Sequence, residues 1–322
     1  MKPYIIGLDL GGTNSVFGVV DRNGKIIECE SIKTQNYKCA EDYAAAAAKT
    51  VKDMAEKVGG TDMIEAMGIG APNANFYDGT IAFTPNIAWA HNSKVALASM
   101  LSERIGIPVA ITNDANAAAM GEMIYGAARG MRNFIMITLG TGVGSGIVAN
   151  GQMIYGHDGF AGELGHMIVR REDGRLCGCG RRGCLETYCS ATGVARTARE
   201  MLTNSDRPSL LREIAPERIT SLDVSIAASK GDLLAQDVYE FTGKILGEAC
   251  ADFATFLSPE AFIFFGGLTK AGDLLMKPLT NSYNANVLPL YKNKAKFLIS
   301  NLSGASAAIL GASALCRCNT HI

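Results

Sequence analysis

Two stretches of the chain share one plan, and that plan decides the fold. Residues 4–27 read YIIGLDLGGTNSVFGVVDRNGKII, and residues 133–154 read NFIMITLGTGVGSGIVANGQMI. In each stretch, an apolar run passes through a glycine-rich loop into a second apolar run, and an Asn-Gly pair, which favours a tight hairpin turn, precedes a third. The pairs begin at Asn23 and Asn150, 127 residues apart. A strand–glycine loop–strand unit that occurs twice indicates two halves built on one plan.

The rest of the chain alternates between extended and helical patterns. Apolar runs predict further strands over residues 66–70, 109–111, 261–265 and 296–299. Composition and spacing predict helices over residues 41–58, 94–104, 115–126, 235–257 and 305–315. This alternation is typical of the α/β class. We predict two lobes, a smaller N-terminal α/β lobe of residues 1–112 with about 305–322, and a larger α/β lobe of residues 113–304.

Composition and charge limit the possible functions. The chain has 322 residues, with 30 Lys and Arg against 31 Asp and Glu, so its net charge is −1. This balance gives no basic surface for nucleic acid or anionic lipid. Asp9 and the glycines after it interrupt the first apolar run, and no other run is long enough to span a membrane, so we predict neither a signal peptide nor a membrane helix. We expect a cytoplasmic protein whose nine cysteines are metal ligands or buried thiols.

Three predicted strands end in glycine-rich loops. The loops are residues 9–14 (DLGGTN), residues 140–146 (GTGVGSG) and Gly266-Gly267. Glycine allows positive φ and close approach, so successive N–H groups can converge on phosphate oxygens. No loop has the GxxxxGK[ST] pattern or a GxGxxG that opens a helix, and one such loop alone could be a simple hairpin. Three of them, two with Thr beside Gly, favour nucleotide phosphates, and Asp9 is placed to hold magnesium through water.

A carboxylate follows the predicted strand over residues 109–111. Asn113-Asp114 stands between this strand and the next helix, where both residues are good N-caps. A carboxylate at a strand end can also accept the proton of an attacking hydroxyl. In phosphoryl transfer a positioned base is most of the side-chain chemistry required, because positioning and charge neutralisation supply the rest. Asp114 is therefore the candidate catalytic base.

One histidine and three cysteines form the most specific pattern in the chain. His166, Cys177, Cys179 and Cys184 lie within 19 residues, with glycines between the cysteines that let a short loop surround an ion. A Cys₃His set is a standard tetrahedral zinc site, and four protein ligands leave no open position, so the metal would be structural. We predict a structural Zn²⁺ in a zinc loop at residues 166–184 of the larger lobe.

Two carboxylates lie beside the predicted zinc loop. Glu163 precedes His166 by three residues, and Glu186 follows Cys184 by two. A metal-braced loop would fix both acids, and fixed acceptors beside an imidazole suit the hydroxyl groups of a sugar. A pair of acids also fits a glycosidase. The three phosphate-type loops favour a kinase over a glycosidase.

Five motifs of this chain resemble those of the ROK family. They are DLGGTN at residues 9–14, NDANAAAMGE at 113–122, LGTGVGSG at 139–146, GELGH at 162–166 and CGCGRRGCLE at 177–186. The resemblance runs from Ile5 to the C-terminal helix. The family comprises bacterial sugar kinases, related repressors and uncharacterised proteins. It implies a two-lobed actin-like ATPase/hexokinase (ribonuclease H-like) fold with duplicated strand–glycine loop–strand units, and a glucokinase-like activity that uses ATP with Mg²⁺.

The resemblance also implies a role for individual residues. It makes Asp114 the catalytic base, and His166 a ligand of both metal and sugar through its two ring nitrogens. The implied sugar-binding residues are Asn86, Asn113, Asp114, Glu163, His166 and Glu186. The implied ATP-binding residues are Asp9, Gly11, Gly12, Thr13, Asn14, Thr141, Gly142, Gly266 and Gly267. The family's usual Ala-Pro-Gly is Ala71-Pro72-Asn73 here, and we expect the Asn73 side chain to narrow or reshape the sugar pocket.

Several alternatives stay open at the level of sequence. Glucose is the expected hexose, with N-acetylmannosamine, fructose and allose as further candidates, and polyphosphate is a second possible phosphoryl donor. A ROK-type repressor would carry a DNA-binding domain before the first strand, which here begins at Tyr4, so we expect no nucleic-acid partner and no membrane partner. A sugar sensor without catalysis would not need Asp114. The resemblance further implies a homo-oligomer, either a dimer or a tetramer.

Overall fold

A computed structural model describes residues 2–302 and 304–318. The strands are β1 (Tyr4–Leu10), β2 (Ser15–Asp21), β3 (Ile26–Ile32), β4 (Ile64–Gly70), β5 (Ala74–Asn75), β6 (Thr80–Ala82), β7 (Lys94–Val95), β8 (Val109–Thr112), β9 (Phe134–Leu139), β10 (Val143–Ala149), β11 (Gln152–Met153), β12 (Ala261–Phe265) and β13 (Lys296–Ile299). The α-helices are α1 (Ala40–Glu56), α2 (Leu97–Ile105), α3 (Asp114–Tyr125), α4 (Glu186–Cys189), α5 (Ala191–Thr203), α6 (Ser221–Ser229), α7 (Leu233–Leu257), α8 (Asp273–Asn286) and α9 (Gly304–Cys318). The predicted α/β class is confirmed.

Two five-stranded sheets have the same strand order. The first runs β3-β2-β1-β4-β8, and the second runs β11-β10-β9-β12-β13. In both, the hairpin at one edge is antiparallel, whereas the last strands pair in parallel: β1 with β4 and β4 with β8 in the first sheet, β9 with β12 and β12 with β13 in the second. If the strands of each sheet are numbered from one to five in chain order, both sheets have the order 3-2-1-4-5. The predicted duplication is confirmed.

The two Asn-Gly pairs form different turns. Asn150 and Gly151 both have positive φ, at 54° and 78°, and join β10 to β11 in a two-residue loop. That is the type I′ geometry expected of an Asn-Gly hairpin. In the first hairpin only Gly24 has positive φ, at 84°, and the Asp21 N–H donates to the Lys25 carbonyl across a three-residue loop. The extra residue makes this a type I turn with a glycine bulge.

Some predicted boundaries were wrong. The helix predicted over residues 94–104 begins at Leu97, because Lys94–Val95 pairs with β6 as strand β7. The helix predicted from residue 115 begins one residue earlier, at Asp114. The second glycine loop is shorter than residues 140–146, since β10 already begins at Val143. Its later glycines therefore lie within a strand.

Glycines let α9 lie directly on the first sheet. A Cβ at Gly68 of β4 would lie 1.9 Å from the Ala312 carbonyl oxygen, and one at Gly7 of β1 would lie 2.2 Å from that of Ile309. Any side chain at these positions would push the helix away from the strands. The core that includes β1, β4, α1 and α2 is apolar, with Leu8 fully buried.

The chain forms two compact units. The first comprises Met1–Met131, Gly146–Gly162 and Ser300–Ile322, and the second comprises Arg132–Ser145 and Glu163–Ile299. Within the first unit, α3 packs on α9. The boundaries given for the two lobes stay a prediction. Residues 319–322 of the predicted first lobe lie outside the described residues. No helix within residues 2–302 and 304–318 is long and apolar enough to cross a membrane.

Candidate functional site

In the first unit, three parallel strands end at one edge of the sheet. Asp9 of β1 is opposite Gly70 of β4, and Gly70 is opposite Thr112 of β8. The carboxyl ends of these strands therefore place Asp9 near the Asn113-Asp114 pair. Strand β4 lies between β1 and β8, and a Cβ at Gly70 of β4 would lie 3.8 Å from the Asp114 Cα atom. The end of β4 therefore passes close to Asp114.

Asp114 is the first residue of helix α3. The side-chain oxygens of Asn113 and Asp114 both accept a hydrogen bond from the Ala115 N–H, each at 2.8 Å. The partial positive charge of the helix N-terminus favours the ionised carboxylate. The Asp114 side chain keeps solvent-exposed surface, yet protein atoms surround it on most sides, and this burial raises its pKa above the ordinary value in spite of the backbone hydrogen bonds. A carboxylate in this state is a stronger base than one in open solvent.

Asp9, like Asp114, has a carboxyl group with a raised pKa. Burial raises its pKa to about 6, and the neighbouring negative charge of Asp114 adds to the shift. Two close carboxylates that repel each other gain most from a cation between or beside them. The pair is therefore suited to a hard divalent cation with oxygen ligands.

The first glycine loop lies beside Asn86. The loop after β1 is closed by a 3.0 Å hydrogen bond from the Gly11 N–H to the Asn14 carbonyl, and Thr13 is exposed at its tip. A Cβ at Gly12 would lie 2.5 Å from the Asn86 carbonyl oxygen, so only glycine lets the two segments meet. A predicted phosphate loop and a predicted sugar ligand are thus neighbours in the first unit.

In the second unit, the loop after β9 gathers the other predicted phosphate contacts. The Ala191 N–H donates to the Gly140 carbonyl at 2.8 Å, and the Thr192 hydroxyl donates to the Thr141 carbonyl at 3.0 Å. The N-terminus of α5 therefore lies beside Thr141 and Gly142. Gly266 joins the group from β12, since its Cβ would lie 2.4 Å from the carbonyl oxygen that precedes this loop. Gly267 follows it, and a Cβ there would have no other atom within 4 Å outside its chain neighbours.

The segment that carries Glu163 and His166 lies on β10. Gly165 approaches so closely that a Cβ there would lie 1.9 Å from the Val143 carbonyl oxygen. The Leu164 N–H donates to the Ser145 hydroxyl at 3.1 Å, and a single helical turn over Leu164–His166 follows Glu163. Glu163 is exposed and His166 is partly buried. The backbone of this segment is thus fixed on the strand that follows the second glycine loop.

Glu186 links that loop to the cysteine cluster. One oxygen of its carboxylate accepts from the Val143 N–H at 3.1 Å, and the other lies 3.7 Å from the Cys177 sulfur. A Cβ at position 142 would lie 2.3 Å from the Glu186 oxygen that accepts from Val143, so glycine leaves room for this carboxylate. Glu186 therefore holds a defined position between the glycine loop and the predicted metal ligands.

The four predicted zinc ligands come together in the second unit. The ligand atoms of His166, Cys177, Cys179 and Cys184 all lie within 4.8 Å of one another. The Cys179 and Cys184 sulfurs are 3.7 Å apart, and the His166 Nδ1 atom is 3.7 Å from the Cys177 sulfur. A tetrahedron with metal–sulfur bonds of about 2.3 Å has edges of about 3.8 Å. The donor set and its spacing fit a zinc ion.

The thiols of this cluster differ in acidity. Burial raises the pKa of Cys177 to about 12, whereas a hydrogen bond from the Arg181 backbone lowers the pKa of Cys179 to about 6. Burial also raises the pKa of Cys184. Without a cation, three clustered thiols cannot all ionise, and a bound divalent metal would remove their protons. The cluster is therefore a site at which metal binding releases protons.

A buried arginine braces the zinc loop, and the sequence analysis missed it. The Arg175 guanidinium is 7% exposed and donates to the Thr187 carbonyl and the Thr197 hydroxyl, each at 2.9 Å. It also pairs with Glu200 of α5 and lies 4.6 Å from the centre of the Tyr188 ring. Its partners are 12 to 25 residues away in sequence, so no local pattern marks it.

We expect Arg175→Met to destabilise the second unit. The change leaves the Thr187 carbonyl and the Thr197 hydroxyl without the guanidinium donor, while Glu200 keeps its contact with Arg196, and we expect a cost of about 2–4 kcal/mol in the free energy of unfolding. Arg171→Met is the matched control, because Arg171 is exposed on the same loop. Thermal denaturation of both variants measures the difference. Equal midpoints for the two variants would show that Arg175 does not brace the loop.

Asn73 adopts the left-handed conformation that glycine favours. Its φ is 52°, a value that asparagine tolerates better than most residues. The side chain is exposed, and its amide nitrogen donates to the Phe83 carbonyl at 3.1 Å. Asn73 thus fixes a neighbouring segment by a hydrogen bond, a contact that its type and position in the sequence did not indicate.

The predicted site residues therefore form two groups, one in each unit. The first unit brings together Asp9, Gly11, Gly12, Thr13, Asn14, Asn86, Asn113 and Asp114. The second unit brings together Thr141, Gly142, Glu163, His166, Cys177, Cys179, Cys184, Glu186, Gly266 and Gly267. Their roles in binding stay predictions.

Comparison with known proteins identifies the family. The chain matches the ROK family over residues 5–318. The chain belongs to the ROK family. A glucokinase of Halalkalibacterium halodurans is 38% identical over 96% of this chain and 93% of that protein, and a glucokinase of Thermotoga maritima is 34% identical over 98% of both.

A solved ROK structure shows the fold. The crystal structure of a ROK family glucokinase from Streptomyces griseus in complex with glucose and AMPPNP is 34% identical, with a TM-score of 0.76 over 98% of this chain and 100% of that chain. The predicted actin-like ATPase/hexokinase fold is confirmed. The repeated strand order of the two sheets is its signature in this ROK chain.

Proposed function

We propose that this ROK protein is an ATP-dependent hexose kinase that converts glucose to glucose 6-phosphate. The observation that carries the proposal is the Asp9–Asp114 pair at the strand ends of the first unit, with a glycine loop beside it. The three glucokinases described above match this chain over nearly their whole length, which supports glucose as the acceptor and ATP as the donor. N-acetylmannosamine, fructose and allose are the alternative acceptors.

In the proposed reaction, Asp114 is the general base. Its carboxylate takes the proton of the sugar hydroxyl as the hydroxyl oxygen bonds to the γ-phosphorus of ATP, and the bond from that phosphorus to the bridging oxygen of ADP breaks. The helix N-terminus and the Ala115 N–H hold the carboxylate in place. Its raised pKa brings its basicity closer to that needed near neutral pH.

Two metals belong to the proposal. Magnesium, bound with ATP, would supply charge neutralisation at the phosphates, and Asp9 is the residue that would hold it through water. Zinc would be structural, held by His166, Cys177, Cys179 and Cys184, because four protein ligands close the coordination sphere. The protein's own contribution near the zinc is to orient Glu186, whose carboxylate already lies between the cluster and the glycine loop.

We further propose the cellular setting predicted from the sequence. The protein would act in the cytoplasm, at the entry of glucose into glycolysis, as a homo-oligomer and without a nucleic-acid partner. The net charge of −1 supports the absence of a DNA-binding role. The repressor branch of the family remains the second candidate, because its members share the same fold.

A coupled ADP-release assay over a hexose panel tests the proposed function. We expect glucose to give the highest kcat/KM, with little ATP hydrolysis in its absence. The panel contains glucose, mannose, fructose, allose and N-acetylmannosamine. With ATP the reaction is followed by ADP release, and with polyphosphate, which releases no ADP, by formation of the sugar phosphate. Equal ADP release with and without sugar, or no sugar phosphate from any hexose with either donor, would contradict the assignment as a kinase. Sugar binding by calorimetry without turnover would favour the repressor or sensor.

Asp9→Asn is expected to raise stability while it impairs catalysis. The folded-state pKa of Asp9 is raised, so the stability that this group contributes is present at low pH and is lost as the pH rises through about 6. At pH 7 the ionised carboxylate is a cost, and its removal should add about 1–2 kcal/mol to the free energy of unfolding.

The same change removes the proposed magnesium partner, so the apparent affinity for magnesium and ATP should fall about tenfold or more. Thermal denaturation and titration of activity with magnesium measure the two effects. Asp42→Asn, at an exposed carboxylate of α1, is the control and should change neither. A lower melting temperature for Asp9→Asn would contradict the argument from its pKa.

A further inference from the structure

Phe83 has an unusual backbone and an exposed ring. Its φ is 50°, in the left-handed region, which for a bulky residue other than glycine is a genuine outlier. Its side chain is 66% exposed, and no described aromatic ring stacks on it. Glycine or asparagine would suit this backbone better, and an exposed ring adds little to the stability of the fold. The fold alone therefore does not account for a phenylalanine here.

The backbone of Phe83 is held on both sides. Its N–H donates to the Ser93 carbonyl at 3.4 Å, and its carbonyl accepts from the Asn73 amide at 3.1 Å. Asn73 is itself left-handed, with φ of 52°. The next residue, Thr84, is buried, and its N–H donates to the Ala90 carbonyl at 2.9 Å. The backbone at Phe83 is thus held by hydrogen bonds on both sides, while its ring is exposed.

Phe83 belongs to the segment that also carries Asn86, a proposed sugar ligand. Asn86 follows Phe83 by three residues, and its backbone touches Gly12 of the first glycine loop. Asn73 follows Gly70 by three residues, and Gly70 passes close to Asp114. The two segments that this hydrogen bond joins, around Asn73 and around Phe83, therefore both lead to the sheet edge near Asp114. Backbone strain of this kind persists where surrounding structure enforces it, often at ligand sites.

We propose that Phe83 contacts the acceptor sugar and that Asn73 is its positioning residue. This inference rests on the proposed hexose kinase and adds a binding contact to it. A hexose has one ring face that carries mainly C–H groups, which packs well on an aromatic ring, while its hydroxyls need polar partners such as Asn86. The expected ligand is a hexose with one face of C–H groups that can pack on the Phe83 ring. The hydrogen bond from Asn73 would hold the Phe83 backbone so that the ring is presented to that face.

Calorimetric titration with glucose, in the absence of nucleotide, tests the ring contact. We expect Phe83→Gly to raise the Kd for glucose about tenfold, and Phe83→Leu to raise it less. Phe83→Tyr keeps the ring and should bind like the wild type. The melting temperature of Phe83→Gly should stay the same or rise, because glycine relieves the left-handed backbone. If the Phe83 ring only stabilised the fold, the melting temperature of Phe83→Gly would fall.

Two variants test the positioning role. Asn73→Gly keeps the left-handed backbone but removes the amide, and Asn73→Asp keeps the shape but removes the donor. Each should raise KM for glucose about three- to tenfold with kcat little changed, since one hydrogen bond that orders the binding contact is lost. Asn293→Gly is the matched control, because Asn293 is an exposed asparagine with φ of 60° in the second unit, and it should change nothing.

Three results would overturn the inference. One is a glucose Kd that is the same in Phe83→Gly and the wild type. Another is a fall of several degrees in the melting temperature of Phe83→Gly, which would make the ring structural. The third is a change in molecular mass in solution for this variant, which would assign the ring to a contact between copies. A wild-type protein that binds no hexose would overturn the proposed function as well, and so is distinguishable from the other results.

Discussion

Replacing Asp114 by asparagine is expected to abolish most of the turnover while the protein stays folded. Removing a general base lowers kcat by about 10²–10⁴-fold. The pKa of the carboxylate is raised, so its ionised form costs stability at neutral pH, and its loss should leave the melting temperature unchanged or higher. Glucose affinity should change only a few-fold, because the asparagine side chain keeps its size and a hydrogen-bonding oxygen. Stopped assays for kcat and calorimetry for Kd separate the two effects.

The control for Asp114 addresses its place at a helix N-terminus. Asp42 also lies in the first turn of a helix, α1, and Asp42→Asn should leave kcat unchanged. In the wild type, kcat/KM should decline as the pH falls through about 6, because Asp9 and Asp114 must be ionised and both have raised pKa values. If the Asp114→Asn variant has a kcat close to that of the wild type, Asp114 is not the catalytic base.

The sequence predicted those parts of the site that depend on local pattern. The sequence marked Asp9 and Asp114 separately, each near the end of a predicted strand. The parallel pairing of β1, β4 and β8, which the sequence did not predict, then places both at one edge of the sheet. The cysteine cluster was predictable, since its ligands are close in sequence and their spacing suits one ion.

Other features depended on tertiary contacts that no local pattern shows. Lys94 lies in a strand, although its surroundings predict a helix, because β6 offers an edge for pairing. Arg175 is buried because its guanidinium finds partners 12 to 25 residues away, among them the Thr187 carbonyl and Glu200 of α5. The Asn73–Phe83 bond joins two loops whose proximity follows from the small sheet β5-β6-β7. Each is a case in which packing overrides or adds to local preference.

The other large effect is expected from the metal cluster. Cys184→Ser removes a fully buried ligand, and we expect the zinc content to fall from about one ion per chain to near zero, measured by elemental analysis. Cys29→Ser, at an exposed thiol outside the cluster, should keep its zinc.

Loss of zinc should weaken glucose phosphorylation before it unfolds the protein. Glu186 lies against Cys177 on one side and the Val143 N–H on the other, and His166 contributes a ring nitrogen to the cluster. Without the metal these groups lose their common anchor, and a displacement of about 1 Å can cost about 10²-fold in activity. During gradual chelation, kcat/KM for glucose should therefore fall at a chelator concentration where circular dichroism is unchanged. Wild-type protein that contains no zinc, and whose three cluster thiols all react freely in the native state, would contradict the metal site itself.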